Sequence, residues 1–197
     1  EMRPFDPHPL VLTSPADSRI HCYESVTMAC DFWIKGQNFT VPLLLGNDQY
    51  IASSMVICRL APQDYHRFHS PVRGRVKEIK PIEGAYYTVN PMAVRQRLDI
   101  FTENKRVVVM IESEEFGLVA FVAVGAMMVG SVVMTVEVGE QVEKMQELGY
   151  FAFGGSTVIL LFDNAVEVKF DADLVKNSLV PIETLVKVGE TIGRLED

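Results

Sequence analysis

Residues 117–136 read GLVAFVAVGAMMVGSVVMTV, twenty positions without a charge. One helix of that length can cross a bilayer. Two buried strands are the other reading. Gly125 and Gly130 interrupt the run, valine is abundant, and Ser131 and Thr135 intrude. Glycine inside a strand pattern marks a bulge or a close backbone approach. Glu112, Glu114 and Glu115 crowd one flank and Glu137 and Glu140 the other, without the arginine or lysine that orients a membrane helix. The stretch is therefore read as buried β-structure.

Working outward, short β-type runs recur at 10–12, 18–23, 31–34, 50–59, 72–79, 106–112, 118–124, 131–138, 157–162 and 165–168. Turn signals such as Gly36-Gln37-Asn38, Gly46-Asn47-Asp48 and Asp163-Asn164 separate them. Many short strands punctuated by turns predict a mainly β fold with minor helices (α+β) around a sandwich- or barrel-like core. Helices are expected at 92–104, entered through Asn90-Pro91, and at 142–148. Residues 71–84 and 186–193 resemble the strand–turn–strand pieces of biotinyl/lipoyl barrels.

Composition narrows the function. The chain has 197 residues, 48% hydrophobic and 22% charged, an ordinary globular mixture. Its net charge of −8 argues against a nucleic-acid partner, which would need a basic surplus. Cys22, Cys30 and Cys58 lack the number and spacing of a disulfide scaffold or a four-ligand zinc site, and no metal is expected. With Glu1 as its first residue, the chain is expected to be an N-terminally truncated single catalytic domain over 1–197.

Three stretches can carry chemistry. The first, LAPQDYHRFHSP at 60–71, holds His66 and His69. Three apart, they share a face on a helix but point to opposite faces of an extended chain, and the neighbouring prolines favour extended backbone. An imidazole in a cleft suits proton transfer near neutral pH, whereas on the surface it is inert. The second is basic: Arg59, Arg67, Arg73, Arg75, Lys77 and Lys80 stand against Asp64 and Glu78. It is either a solvated strand face or a platform for an anionic headgroup. The third is Gly154-Gly155-Ser156-Thr157 before an apolar run. It lacks the glycine two residues after the serine that a nucleophile elbow needs. Glycines there let the backbone twist so that the serine hydroxyl can attack its own preceding carbonyl, given a base and an orienting acid. His69 could be that base and Asp17 the acid.

Taken in order, several segments resemble the phosphatidylserine decarboxylase family of pyruvoyl enzymes. They are Pro15-Ala16-Asp17, Trp33 to Thr40 with Leu44-Leu45-Gly46, and the histidine stretch 60–71. Tyr87-Thr88-Val89-Asn90-Pro91, Asn104-Lys105-Arg106-Val107, VGAMMVGS at 124–131 and Gly154-Gly155-Ser156-Thr157 continue the likeness. Ser18 after Asp17, where many members have glycine, and Gly154, where leucine is commoner, are departures.

The resemblance implies that the proenzyme cuts itself between Gly155 and Ser156, giving a β chain (1–155) and an α chain (156–197) that stay associated as a heterodimer. It implies a covalent pyruvoyl cofactor made from Ser156. Phosphatidylserine would form a Schiff base with it, lose CO2 and leave as phosphatidylethanolamine. It implies Asp17, His69 and Ser156 as the self-cleavage triad, His66 in decarboxylation and Thr88 in substrate contact. It further implies association with a membrane surface, bacterial or organellar, and αβ units able to pair as a homodimer. Two other classes compete: a non-catalytic biotinyl/lipoyl-like carrier or interaction domain, with Lys144 nearest to a carrier lysine, and a Ser-His-Asp lipid hydrolase.

Overall fold

The computed structural model describes residues 3–34, 38–89, 92, 99–126, 131–152, 155–180 and 182–196. In its first part the strands are β1 (Val11–Thr13), β2 (Ser18–Tyr23), β3 (Ala52–Leu60), β4 (Arg67–His69) and β5 (Gly74–Ile82). The middle contributes β6 (Arg106–Ser113), β7 (Gly117–Val124), β8 (Ser131–Met134), β9 (Gln141–Val142) and β10 (Glu147–Ala152). The last part holds β11 (Ser156–Asp163), β12 (Lys169–Phe170), β13 (Thr184–Val186) and β14 (Thr191–Arg194). Short helices are α1 (Val26–Phe32), α2 (Val41–Leu45), α3 (Ile100–Glu103) and α4 (Ala172–Leu179). The expectation of a mainly β fold with minor helices holds.

The largest sheet runs β13-β2-β3-β11-β7-β6-β5-β9, antiparallel throughout. Its inner strands are buried along almost their whole length, β11 from Ser156 to Phe162 and β7 from Val119 to Val124. Covered faces need no polar alternation, which is why the sequence there is a continuous apolar run. The uncharged stretch thus holds buried β7 and half-buried β8, with 127–130 outside the described residues, and no helix among the described residues is long and apolar enough to cross a membrane. Two smaller sheets, β4-β10-β8 and β1-β14-β12, complete the fold.

Phe68 docks the β4 sheet onto the large one. Its ring centroid lies 5.4 Å from Phe121 on β7 and 5.0 Å from Phe151 on β10, and its side chain is fully buried. Burying such a ring contributes about 1.5–3 kcal/mol. With Phe68 turned inward, strand alternation turns Arg67 and His69 the other way.

Two Ser-Pro segments cross beside this junction. His69 N donates to Pro15 O (2.9 Å) and Thr13 N to Pro71 O (3.4 Å). Each serine hydroxyl donates to the carbonyl two residues on, Ser14 to Ala16 (2.9 Å) and Ser70 to Val72 (2.7 Å). Each serine also exchanges backbone bonds with a four-residue turn. Ser14 pairs with 187–190 and Ser70 with 143–146, while Val76 pairs likewise with 137–140. In all three turns the last side chain accepts from the first backbone N–H: Glu190 from Lys187, Gln146 from Glu143, Glu140 from Glu137. The third position is left-handed each time, at Gly189 (φ 91°), Gly139 (φ 93°) and Met145 (φ 68°).

Several local expectations fail. The expected strand at 31–34 overlaps the end of helix α1, which starts where Ser25 Oγ accepts from Met28 N (3.2 Å). The expected helix at 142–148 is one of the three turns, flanked by β9 and β10. Within 92–104 the structure holds α3, and 93–98 lie outside the described residues. The expected strand at 165–168 is instead the end of a turn over 163–166, closed by Val166 N to Asp163 O (3.0 Å), followed by irregular backbone, and the strand begins at Lys169. The sequence reading missed α2 and α4, both too short for a periodic signal.

Buried Arg106 closes two helix ends. It donates to the Leu43 and Leu44 carbonyls of α2 and to the Thr102 and Asn104 carbonyls at α3. The last carbonyls of a helix have no partner of their own, and a guanidinium supplies one.

Gly149 sits where backbones meet. A Cβ there would run into the Val133 carbonyl oxygen and come within 2.8 Å of Phe68 Cζ. Gly149→Ala is expected to cost about 1–3 kcal/mol, as overpacking does, read as a lower thermal midpoint. An unchanged midpoint would refute the close packing of β10 on β4.

Candidate active site

Ser156 opens β11 in the middle of the large sheet, opposite Leu60 at the end of β3. It is fully buried, and its Oγ has no hydrogen-bond partner. An orphaned buried hydroxyl is costly and therefore informative. A Cβ at Gly155 would lie 3.5 Å from Leu60 O and 3.8 Å from Pro62 Cδ, ordinary contact distances. Space therefore does not demand a glycine at 155; backbone freedom at the bond to Ser156 is what it supplies.

The histidine stretch departs from Leu60, Ser156's partner. Asp64 shapes the exit. Its Oδ2 accepts from Ala61 N (2.8 Å) and from Arg19 (3.1 Å), and its own N–H donates to Ala61 O (2.9 Å). His66 follows, half-buried, with Nδ1 2.6 Å from the Asp64 carbonyl. A carbonyl only accepts, so Nδ1 carries the proton of the neutral ring. The His66 carbonyl accepts from Phe151 N (3.0 Å), tying His66 to the strand that leads into the 153–155 connection. His69 lies further along, opposite Glu147. Its Nδ1 is 2.8 Å from Met145 O and its Nε2 is 3.2 Å from the Tyr65 hydroxyl.

Asp17 is buried two residues beyond Pro15, whose carbonyl holds the His69 backbone. Its carboxylate is engaged by Arg3, by Val188 N (2.9 Å) and by Lys187 (3.4 Å). Burial alone would raise its pKa. The Arg3 bond, the Val188 N–H and the two cations outweigh that and hold the carboxyl below its ordinary value of 3.8.

The structure thus crosses the Asp17 and His69 segments through two backbone bonds, His69 N to Pro15 O and Thr13 N to Pro71 O. It does not join the three side chains of Asp17, His69 and Ser156 by hydrogen bonds. Gly155 precedes Ser156 directly, and Thr88 is exposed, next to Tyr87, whose N–H and carbonyl are pinned by buried Asn104 (2.9 and 2.8 Å). Tyr65, Met145 and Arg3 are the site residues that sequence reading missed. Tyr65 lay inside the histidine stretch, but nothing in the sequence marked Met145 or Arg3.

The basic tract is occupied internally. Arg59 makes a two-pronged bond to Glu183 (2.6 Å each), and Arg67 Nη1 donates to both Glu147 carboxylate oxygens (2.7 and 2.8 Å). Arg73 meets Glu115 (3.2 Å), Lys77 meets Glu112 (3.1 Å), and Arg75 and Lys80 bond the Gly139 and Gly46 carbonyls. A headgroup platform along this strand is not supported. Lys144 does not suit a carrier lysine: it is buried, and its Nζ donates to the carbonyls of Asp6, His8 (2.5 Å) and Val11 (2.7 Å). A hydrolase elbow would need a helix after Ser156, where β11 stands instead.

Sequence comparison decides the family. The phosphatidylserine decarboxylase profile matches residues 1–194. The chain belongs to the phosphatidylserine decarboxylase family. It is 57% identical over 197 residues to phosphatidylserine decarboxylase proenzyme 3 of Schizosaccharomyces pombe, covering 98% of this chain and 20% of that protein. Identity to proenzyme 2 of Komagataella phaffii is 54%, covering 93% of this chain and 19% of that protein. The phosphatidylserine decarboxylase proenzyme of Fusobacterium nucleatum is 42% identical, with 97% of this chain and 65% of that protein covered. The chain therefore spans about a fifth of its two fungal relatives.

The lowered Asp17 pKa sets a direction for stability. A carboxyl depressed by folding stabilises fully above its unfolded value of 3.8, and that contribution fades as pH falls through the lowered folded value. Arg3→Ala is expected to lower the thermal midpoint at pH 7 and to lower it by less at an acid pH below 3.8. An equal deficit at both pH values would refute the Arg3–Asp17 linkage.

Proposed function

We propose that the chain is the catalytic part of a phosphatidylserine decarboxylase that makes its own pyruvoyl group at Gly155-Ser156 and converts phosphatidylserine to phosphatidylethanolamine and CO2. The buried Ser156 hydroxyl without a hydrogen-bond partner, next to Gly155, is the observation that carries this reading.

Self-cleavage needs only groups of the chain, and one water completes the pyruvoyl group. The Ser156 Oγ loses its proton to a base and adds to the Gly155 carbonyl carbon. The C–N bond then breaks, the nitrogen takes a proton, and an ester joins the two residues. Removal of the Ser156 Cα proton expels the Gly155 carboxylate and leaves a carbon–carbon double bond at residue 156. Water then replaces the nitrogen, ammonia leaves, and a ketone remains at the new terminus. The products are a β chain of 155 residues and an α chain of 42. His69 is the proposed base, its Nδ1–H fixed by Met145 O so that Nε2 is the basic nitrogen. Asp17, whose segment is bonded to the His69 backbone, is the proposed orienting acid.

The pyruvoyl carbonyl supplies the electron sink for loss of the substrate carboxylate. His66 is the proposed proton donor at the substrate Cα, acting through Nε2 once that nitrogen has taken a proton from solvent, because it is tied to β10 and its ring is oriented by the Asp64 carbonyl. Thr88 is the proposed substrate contact on the exposed side. A phosphatidyl substrate implies work at a membrane surface, with the αβ pair as the working unit, able to pair further as a homodimer. The position of Ser156 before a strand disfavours the hydrolase, and the engaged Lys144 disfavours the carrier.

Denaturing electrophoresis with intact mass is the test. The native chain is expected to give two pieces, with a carbonyl on the smaller one that borohydride or hydroxylamine traps. Ser156→Ala and His69→Ala are expected to stay whole. His66→Ala is expected to cleave and then lose decarboxylation by at least about a hundredfold. An intact native chain that still turned over lipid would end this reading.

A further inference from the structure

Tyr65 meets His69 in two ways. The rings stack, with centroids 5.9 Å apart and 22° between their planes. The phenol oxygen lies 3.2 Å from Nε2. The other ring nitrogen faces the Met145 carbonyl at 2.8 Å, so it holds the proton and Nε2 holds the lone pair. The Tyr65 O–H must therefore be the donor in the Tyr65–His69 bond. The same nitrogen that a base would use to accept the Ser156 proton is covered by a phenol, while Ser156 Oγ stands buried without a hydrogen bond.

Tyr65 is itself held in place. The Arg3 guanidinium lies over its ring, 5.2 Å from the centroid, and Arg3 also binds Asp17. Burial first, and then the nearby Glu147 charge, make the Tyr65 hydroxyl harder to ionise than a free tyrosine. The phenol thus stays a donor through the neutral range.

We propose that Tyr65 is a positioning residue that latches His69: its hydroxyl caps Nε2 in the uncut chain and must give way to the Ser156 hydroxyl before self-cleavage begins. This rests on His69 being the base. Tyr65→Phe keeps the stacked ring and removes only the cap. One hydrogen bond of ordinary net worth slows the step by roughly two- to tenfold.

The test follows fresh precursor from cell-free synthesis and times the appearance of the smaller piece. Tyr65→Phe is expected to cleave about two- to tenfold faster than the parent chain. Equal or slower cleavage overturns the latch. A spectroscopic readout accompanies it, in Ser156→Ala precursor with 15N-labelled histidine. Adding Tyr65→Phe is expected to move the His69 Nε2 signal toward that of an unbonded imine nitrogen and to leave Nδ1 protonated. An unmoved Nε2 signal also overturns the latch. His69→Ala separates the two failures. If His69→Ala is blocked while Tyr65→Phe cleaves at the parent rate, the latch alone falls. If His69→Ala cleaves normally, the base assignment falls and takes the latch with it.

Discussion

The backbone pairing of Ser156 with Leu60 fixes everything around the candidate site. It sets Ser156 at the head of a strand enclosed by β3 and β7, where no water reaches the hydroxyl and no side chain answers it. It also makes Leu60 the departure point of the histidine stretch, so His66 and His69 are laid out along a path that starts at the serine. A slip of one residue would turn every side chain of β11 to the opposite face. The valine and leucine packing on both faces of that strand is what holds the register.

Much of this was legible in the sequence where local chemistry dictates the outcome. Strands β6 and β7 were readable because buried inner strands carry long apolar runs, and 117–136 resolved as β7 and β8 because glycine and glutamate break the pattern of a membrane helix. The histidine stretch, Asp17 and Ser156 were legible through resemblance to a family. What surrounds them was not. Tyr65 acts on a residue four positions away, but Met145 lies 76 positions from His69, and Arg3 and Lys187 converge on Asp17 from opposite ends of the chain. Such partners arise from topology. The left-handed backbone of Met145 carried no signal either, since glycine is the usual occupant.

Buried cations were equally hidden. Arg106 and Lys144 look like surface residues in a linear reading, yet both are enclosed and surrounded by carbonyl oxygens rather than carboxylates. Burial lowers the pKa of each. They hold irregular segments in place: Arg106 the two helix ends, Lys144 the chain around residues 6–11. The basic tract from β3 to β5 was legible as a pattern, but glutamates from β6, β10 and the segment before β13 pair with Lys77, Arg67 and Arg59.

The residues from 156 onward are woven into the rest. They supply the midmost strand of the largest sheet, one of its two borders, and two of the three strands of another sheet. A nick ahead of Ser156 would therefore leave a fabric whose threads still cross. The shorter thread could be drawn out only by unravelling the whole cloth, so the new end would stay lodged inside the protein instead of drifting into solvent.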